Sequence, residues 1–176
     1  MTEQQLADKL KKIKVLLLDV DGVLTDGRIV YDSRGRDSRF FDVHDGMGVH
    51  LLKKSGIPTV LVTAKGSAAV RPRARDMRVD RVYENISPKT RVLAAILKQY
   101  NAAEENLCFV GDDLVDICLM RRVGAPIAVI NACAEVKAAA VWVTTKPGGR
   151  GAVREVAELI LKAQGTWTEI IKSYES

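Results

Sequence analysis

The chain has 176 residues, 47% of them apolar, and a formal net charge of +5. That length fits one globular domain, residues 1–176, with a sizeable core and little room for a second. No stretch approaches the roughly 20 uninterrupted apolar residues of a membrane helix, and the opening MTEQQLADKLKK has no apolar leader, so a cytoplasmic chain without a membrane partner is expected.

The first apolar run, VLLLDV, is too short for a helix and reads as a buried strand. It is followed by GRIVYDSRGRDSRFF, Gly27 to Phe41, whose β-prone arms RIVYD and DSRFF flank a turn at Ser33, Arg34 and Gly35. This predicts a protruding hairpin. Its apolar Ile29, Val30, Phe40 and Phe41 ask for a covering surface, most simply a neighbouring subunit. Helical period then sets in over GMGVHLLKKSG, and a second strand over IPTVLVT. The run RPRARDMRVDR carries five arginines, but Asp76 and Asp80 interrupt it and no aromatics interleave for base stacking, so it predicts a solvated helix face and no nucleic-acid partner. Pro72 within it marks a kink or a first turn.

Strand and helix continue to alternate: VDRVY, SPKTRVLAAILKQYN, NLCFVGD, DLVDICLMRRVG, APIAVI, AEVKAAA, VWVTT and a final helix in GAVREVAELILKAQG. Apolar runs without polar alternation imply burial on both faces, and the alternation of elements implies crossovers onto a parallel sheet. The expected class is therefore α/β, a doubly wound, mainly parallel sheet. Cys108, Cys118 and Cys133 lack metal-type spacing and read as reduced thiols, two of them inside apolar runs.

The chemistry-bearing residues gather where strands end. Residues two apart on a strand face the same way, so Asp19 and Asp21 can reach one locus before the chain turns at Gly22. LCFVGDDLVD places Asp112 and Asp113 after a glycine at another strand end, with Asp116 one helical turn on. An isolated pair of this kind is usually a turn or a helix cap. Two clusters on neighbouring strands are different: like charges about 4 Å apart repel by about 4 kcal/mol at an effective dielectric near 20, and several such pairs rival the stability of a domain. A cation must lie between them, and oxygen-only ligands select a hard one such as Mg²⁺. Thr63, ending IPTVLVT, offers a hydroxyl and Lys89, in ISPKT, a point charge for a phosphate oxygen. Together they form a phosphoryl-transfer set.

With these motifs the sequence resembles the haloacid dehalogenase-like phosphatases, through DVDGVLTD, VTAK, the lysine of SPKT, and GDDLVD. Within them it resembles the small, capless 3-deoxy-manno-octulosonate 8-phosphate phosphatases, through DGVLTDG with its hairpin, FDVHDGMG, VGDDLVDICLMRRVG and TTKPGGRGAVREVAELILKAQG. The resemblance implies a Rossmann-like fold without a cap domain, a magnesium-dependent homotetramer, and a sugar acid phosphate as substrate in lipopolysaccharide synthesis. It implies that Asp19 attacks phosphorus, that Asp21 is the acid and then the base, and that Thr63 and Lys89 hold the phosphoryl group. The metal would take Asp19, the backbone carbonyl of Asp21, and Asp112, with Asp113 and Asp116 outside the inner set. Asp42, His44, Asp45 and Gly46 of FDVHDG would lie near the substrate, as would a residue at His50. Arg73 matches a family arginine able to hold the sugar acid's carboxylate, and the loop Gly148, Gly149, Arg150 matches the element that closes a neighbouring subunit's site.

The sequence departs from that pattern at two places. Ala64 and Lys65 stand where the family has Gly-Arg after the threonine, and His50 stands where it has arginine. Lysine is a point donor, whereas arginine clamps a carboxylate with two parallel bonds. Both departures concern substrate recognition and leave open a nine-carbon sialic-type acid phosphate or a broader range. The main rival outside the enzymes is a signalling receiver domain, which also clusters aspartates around Mg²⁺ but carries its acidic pair and its phosphate-accepting aspartate on different strands. A dinucleotide-binding role is a weaker rival still, since no GxGxxG follows the first strand.

Overall fold

The computed structural model describes residues 1–175. A leading helix, α1 (Glu3–Lys11), is capped reciprocally by Thr2 and Gln5 and buries Leu6 and Leu10. It feeds β1 (Val15–Leu18), after which come the hairpin strands β2 (Val30–Tyr31) and β3 (Asp37–Ser38), then α2 (Val43–Lys54). The alternation continues through β4 (Thr59–Val62), α3 (Val70–Asp76), β5 (Arg81–Tyr83), α4 (Leu93–Gln99), β6 (Leu107–Gly111), α5 (Ile117–Met120), β7 (Ala125–Ala128), α6 (Ala134–Ala139) and β8 (Trp142–Val143). Two helices close the chain, α7 (Ala152–Ala163) and α8 (Trp167–Glu175).

All six expected strands join one sheet in the order β5-β4-β1-β6-β7-β8, and every neighbouring pair is parallel. The residues of β1, β4, β6 and β7 are buried throughout, which is why their sequences run apolar without alternation. On one side α7 packs with α1 and α2; on the other α5 packs with α6 and with the 3₁₀ turn that leads into α4. Helix α7 shows how the pattern drives this. Its Ala152, Val153, Val156, Ala157, Ile160 and Leu161 recur at helical spacing and are all buried, and each large aliphatic among them contributes about 1.5–3 kcal/mol.

The hairpin is shorter than its arms: only Val30 with Ser38 and Tyr31 with Asp37 are paired. Of the four apolar residues that the sequence singles out there, Val30 and Phe40 are exposed, whereas Ile29 is half-buried and Phe41 packs against the core; Tyr31 is exposed beside them. Pro72 falls in the first turn of α3, where its missing N–H costs no helical bond. In the arginine-rich run, Arg71 pairs with Glu84 and Arg73 with Asp76. The three thiols are free; Cys108 is buried in β6, and that burial pushes its pKa up. Among the described residues no helix is long and apolar enough to cross a membrane.

Candidate active site

Strands β1 and β6 are adjacent and in register, so the two acidic tips emerge side by side at the carboxyl edge of the sheet. Carboxylate oxygens of Asp19, Asp112 and Asp116 lie within 4.8 Å of one another. A receiver domain is thereby set aside: Asp19 and Asp21 share one strand end, and the Gly-Asp-Asp turn follows a late strand. Gly22 makes the approach possible. Its φ is +93°, and a Cβ there would sit 2.0 Å from Asp112 Oδ2.

Lys89 lies beneath this cluster, 1% exposed, and donates to Asp19 Oδ1 and to Asp116 Oδ1, each at 2.5 Å. Burial alone would lower the pKa of this lysine, but the two carboxylates outweigh it and hold the value above normal. Asp116 is fully committed to its neighbours. Its other oxygen accepts from the backbone N–H of Asp112 at 2.8 Å and of Asp113 at 3.4 Å, so it fixes the turn and the lysine and has little left for an ion. Asp113 is exposed and caps the turn through Leu114 N–H.

That leaves Asp19 and Asp112 as the carboxylates of the cluster with oxygen lone pairs to offer an ion. Burial pushes Asp19 up to about 7, Lys89 opposing and Asp116 adding to the shift. Asp112 goes up to about 8, through burial first and then repulsion from Asp19, Asp116 and Asp113. Burial and mutual repulsion thus work against full ionisation of the pair, and further positive charge beside them would relieve it. A small, hard divalent cation on all-oxygen ligands supplies such charge, so the donor set fits Mg²⁺.

A cleft of about 250 Å³ opens over these groups, lined by Asp19, Asp21, Thr63, Lys65, Asp112 and Asp113 among others. Thr63, the residue that follows β4 next to β1, is 2% exposed. Its hydroxyl donates to the Lys65 carbonyl at 3.0 Å, so it has to turn before it can serve a phosphate oxygen. Lys65 stands at the rim and donates to the Tyr31 hydroxyl of the hairpin at 2.7 Å.

The remaining expected contacts spread out. Asp42 is the N-cap of α2, accepting from His44 N–H at 2.7 Å, while the His44 ring is exposed. Asp45 is 1% exposed and accepts from Arg154 N–H at 2.9 Å and Gly151 N–H at 3.3 Å, so it caps the start of α7. Gly46 gives room to Arg73, whose guanidinium donates to the Asp42 carbonyl at 2.7 Å and stacks on Phe41. His50 lies eight residues into α2 from its cap, roughly 12 Å down the helix, where Arg78 and Lys54 are its charged neighbours. Arg150 is exposed, but Gly148 and Gly149 pack inside their own chain: a Cβ on Gly148 would sit 1.7 Å from Gly22 O, and Gly149 N–H donates to Val23 O at 2.9 Å.

Sequence reasoning passed over Arg39. Its side chain is fully buried, donates from Nε and Nη2 to both oxygens of Asp21 at 2.5 and 3.1 Å, and donates from Nη1 to Asp37. The available signal was a lone cation between Ser38 and the apolar Phe40 and Phe41, too weak to separate from an ordinary strand residue.

A buried carboxylate on the first of two adjacent strand ends, a carboxylate two residues on, a buried lysine and an acidic turn are the arrangement of a phosphohydrolase of the haloacid dehalogenase-like class. Residues 79–156 match the family model described as haloacid dehalogenase-like hydrolase. The chain is 38% identical over 161 residues, 92% of its length and 86% of the relative's, to the 3-deoxy-D-manno-octulosonate 8-phosphate phosphatase of Escherichia coli strain K12. It superposes with a TM-score of 0.95 and 38% identity on the Moraxella catarrhalis phosphatase of that name, solved with magnesium ion, phosphate ion and KDO, covering 98% of this chain and 99% of that one. The cobalt-bound form of the Haemophilus influenzae enzyme matches at 0.87 with 34% identity, covering 91% and 94%. The chain belongs to the 3-deoxy-D-manno-octulosonate 8-phosphate phosphatase family.

Proposed function

We propose that this chain is a magnesium-dependent phosphatase that hydrolyses 3-deoxy-D-manno-octulosonate 8-phosphate to the sugar acid and inorganic phosphate. It acts as a cytoplasmic homotetramer of single-domain subunits, with Arg150 of each reaching a neighbour's site. The observation that carries the reading is Asp19: a buried carboxylate held by Lys89 through one oxygen, beside Asp112 on the adjacent strand end.

Lys89 fixes Oδ1 of Asp19 and leaves Oδ2 to attack phosphorus. The bond from phosphorus to the sugar oxygen breaks, and the Asp21 carboxyl proton passes to that oxygen. Asp21, now a carboxylate, takes a proton from a water whose oxygen attacks the aspartyl-phosphate; the bond to Asp19 breaks, phosphate leaves, and both carboxyl groups are restored. Acid-base assistance of this kind is worth about 10² to 10⁴ in rate. Thr63 and Lys89 hold the transferring group, and Asp113 and Asp116 keep the Asp112 turn in place. A bound Mg²⁺, on Asp19, the Asp21 carbonyl and Asp112, offsets the charge of the carboxylates and the phosphoryl group. Lys65 at the cleft rim, His44 and a neighbour's Arg150 select the sugar acid; Arg73, Asp42, Asp45 and Gly46 set the start of α2 where His44 sits, and His50 lies two turns further along that helix.

The test is phosphate release by the pure protein with Mg²⁺ from eight- and nine-carbon keto-sugar acid phosphates. The eight-carbon substrate is expected to give the highest kcat/KM, and Asp19→Asn to abolish release while folding and sedimenting as the wild type does. Release by Asp19→Asn at a substantial rate would remove Asp19 as nucleophile. Preference for the nine-carbon phosphate would replace the substrate and keep the chemistry.

A further inference from the structure

The acid in the scheme above must point its proton at one oxygen of the substrate, yet Asp21 sits on a turn and its side chain is 23% exposed. A carboxylate so placed rotates freely unless something fixes its plane. Arg39 fixes it, because Nε and Nη2 of one guanidinium reach both carboxylate oxygens side-on, a fork that sets both position and rotation. The third arm, Nη1, is taken by Asp37, so the guanidinium cannot swivel without breaking that pair. No water competes for it, since the Arg39 side chain is 0% exposed. Each Asp21 oxygen keeps a further lone pair, so the carboxyl still serves a substrate or a water while held.

Arg39 and Asp37 both belong to the hairpin arm, with Asp37 paired to Tyr31 across it. We propose that Arg39 is a positioning residue for the reaction, holding the Asp21 carboxyl in the orientation from which it protonates the leaving oxygen and making that orientation depend on where the hairpin lies. The proposal rests on the phosphatase reading given above. It assigns Arg39 no contact with phosphorus: the proton moves from Asp21 to the sugar oxygen as the P–O bond breaks, and returns to Asp21 from water, while Arg39 stays charged.

The experiment compares two phosphate esters on the full chain with Mg²⁺. The sugar phosphate leaves as an alkoxide that needs a proton; p-nitrophenyl phosphate leaves as a stable phenolate that does not. Arg39→Met is expected to lower kcat/KM on the sugar phosphate on the order of 10²-fold, and on the aryl phosphate by less than about 3-fold. Arg39→Lys, which keeps the charge and loses the fork, falls between, and serves if the methionine variant folds poorly. In an Asp21→Asn background Arg39→Met is expected to change nothing further, because its effect runs through Asp21. Equal losses on both esters, or a full additional loss without Asp21, would overturn the proposal and leave Arg39 a hairpin staple. Crystal structures of wild type and Arg39→Met read the orientation without turnover: an unmoved Asp21 carboxylate overturns the proposal, whereas a wild type inactive on both esters overturns the phosphatase reading.

Discussion

Gly148→Ala tests whether the loop before α7 sets the geometry of the catalytic turn. Adding one methyl places a carbon 1.7 Å from the carbonyl oxygen of Gly22 and 3.1 Å from that of Thr25, whereas real contacts of this kind do not fall below 3.0 Å. The loop has little freedom to retreat, because Gly148 N–H is held by Asn131 Oδ1 at 2.8 Å and Gly149 N–H by Val23 O at 2.9 Å. The turn after Asp21 must therefore move by more than about 1 Å, a displacement that typically costs on the order of 10²-fold in rate. Overpacking adds about 1–3 kcal/mol of destabilisation. The assay is kcat/KM on the sugar phosphate, with the fold followed by circular dichroism on heating. Gly56→Ala is the control: it has φ +80° and nothing within 4 Å, so it costs about 1–2 kcal/mol of backbone strain without touching the site. A folded Gly148→Ala protein with activity near wild type would refute the idea that this loop holds the turn.

Three further outcomes follow from the charges. Burial raises Asp45 from 3.8 to about 6, so its protonated form favours folding; that stability is fully present below pH 4 and is lost as pH rises through 6, about 3 kcal/mol in all. Denaturant unfolding should show wild type losing that much more than Asp45→Asn between pH 4 and pH 7, and parallel curves would remove Asp45 as the cause. Lys89→Met leaves Asp19 and Asp116 unpaired in a dry setting and should cost about 3–5 kcal/mol in EDTA along with all turnover; a stable variant would show that the lysine is not the main counter-charge. Mg²⁺ at 100 times its Kd should stabilise wild type by about 2.7 kcal/mol and Asp112→Asn far less, as read by thermal unfolding.

The sheet was legible because buried parallel strands leave a strong trace: VLLLDV, IPTVLVT and NLCFVGD are apolar without alternation, and their order along the chain fixes the crossovers. The two acidic clusters were legible for a related reason, since a strand end followed by glycine is a local pattern. The leading helix α1 was not foreseen, because its apolar face amounts to Leu6 and Leu10 in a polar stretch. The FDVHDG segment shows a different limit. Its residues were assigned together by resemblance, but a helix start divides them by direction, so Asp42 and Asp45 turn to backbone N–H groups while His44 faces outward. Arg39 was invisible because its partner lies 18 residues away and only the fold joins them.

The rim of the cleft and its floor differ in how many bonds each residue carries. Asp19, Lys89 and Asp116 are locked to one another and to backbone, and any change among them disturbs the interior. His44, Lys65 and Arg150 are exposed side chains with few or no internal duties. Substitutions at such exposed positions are therefore cheap for the scaffold, whereas the buried trio tolerates none without unsettling what surrounds it.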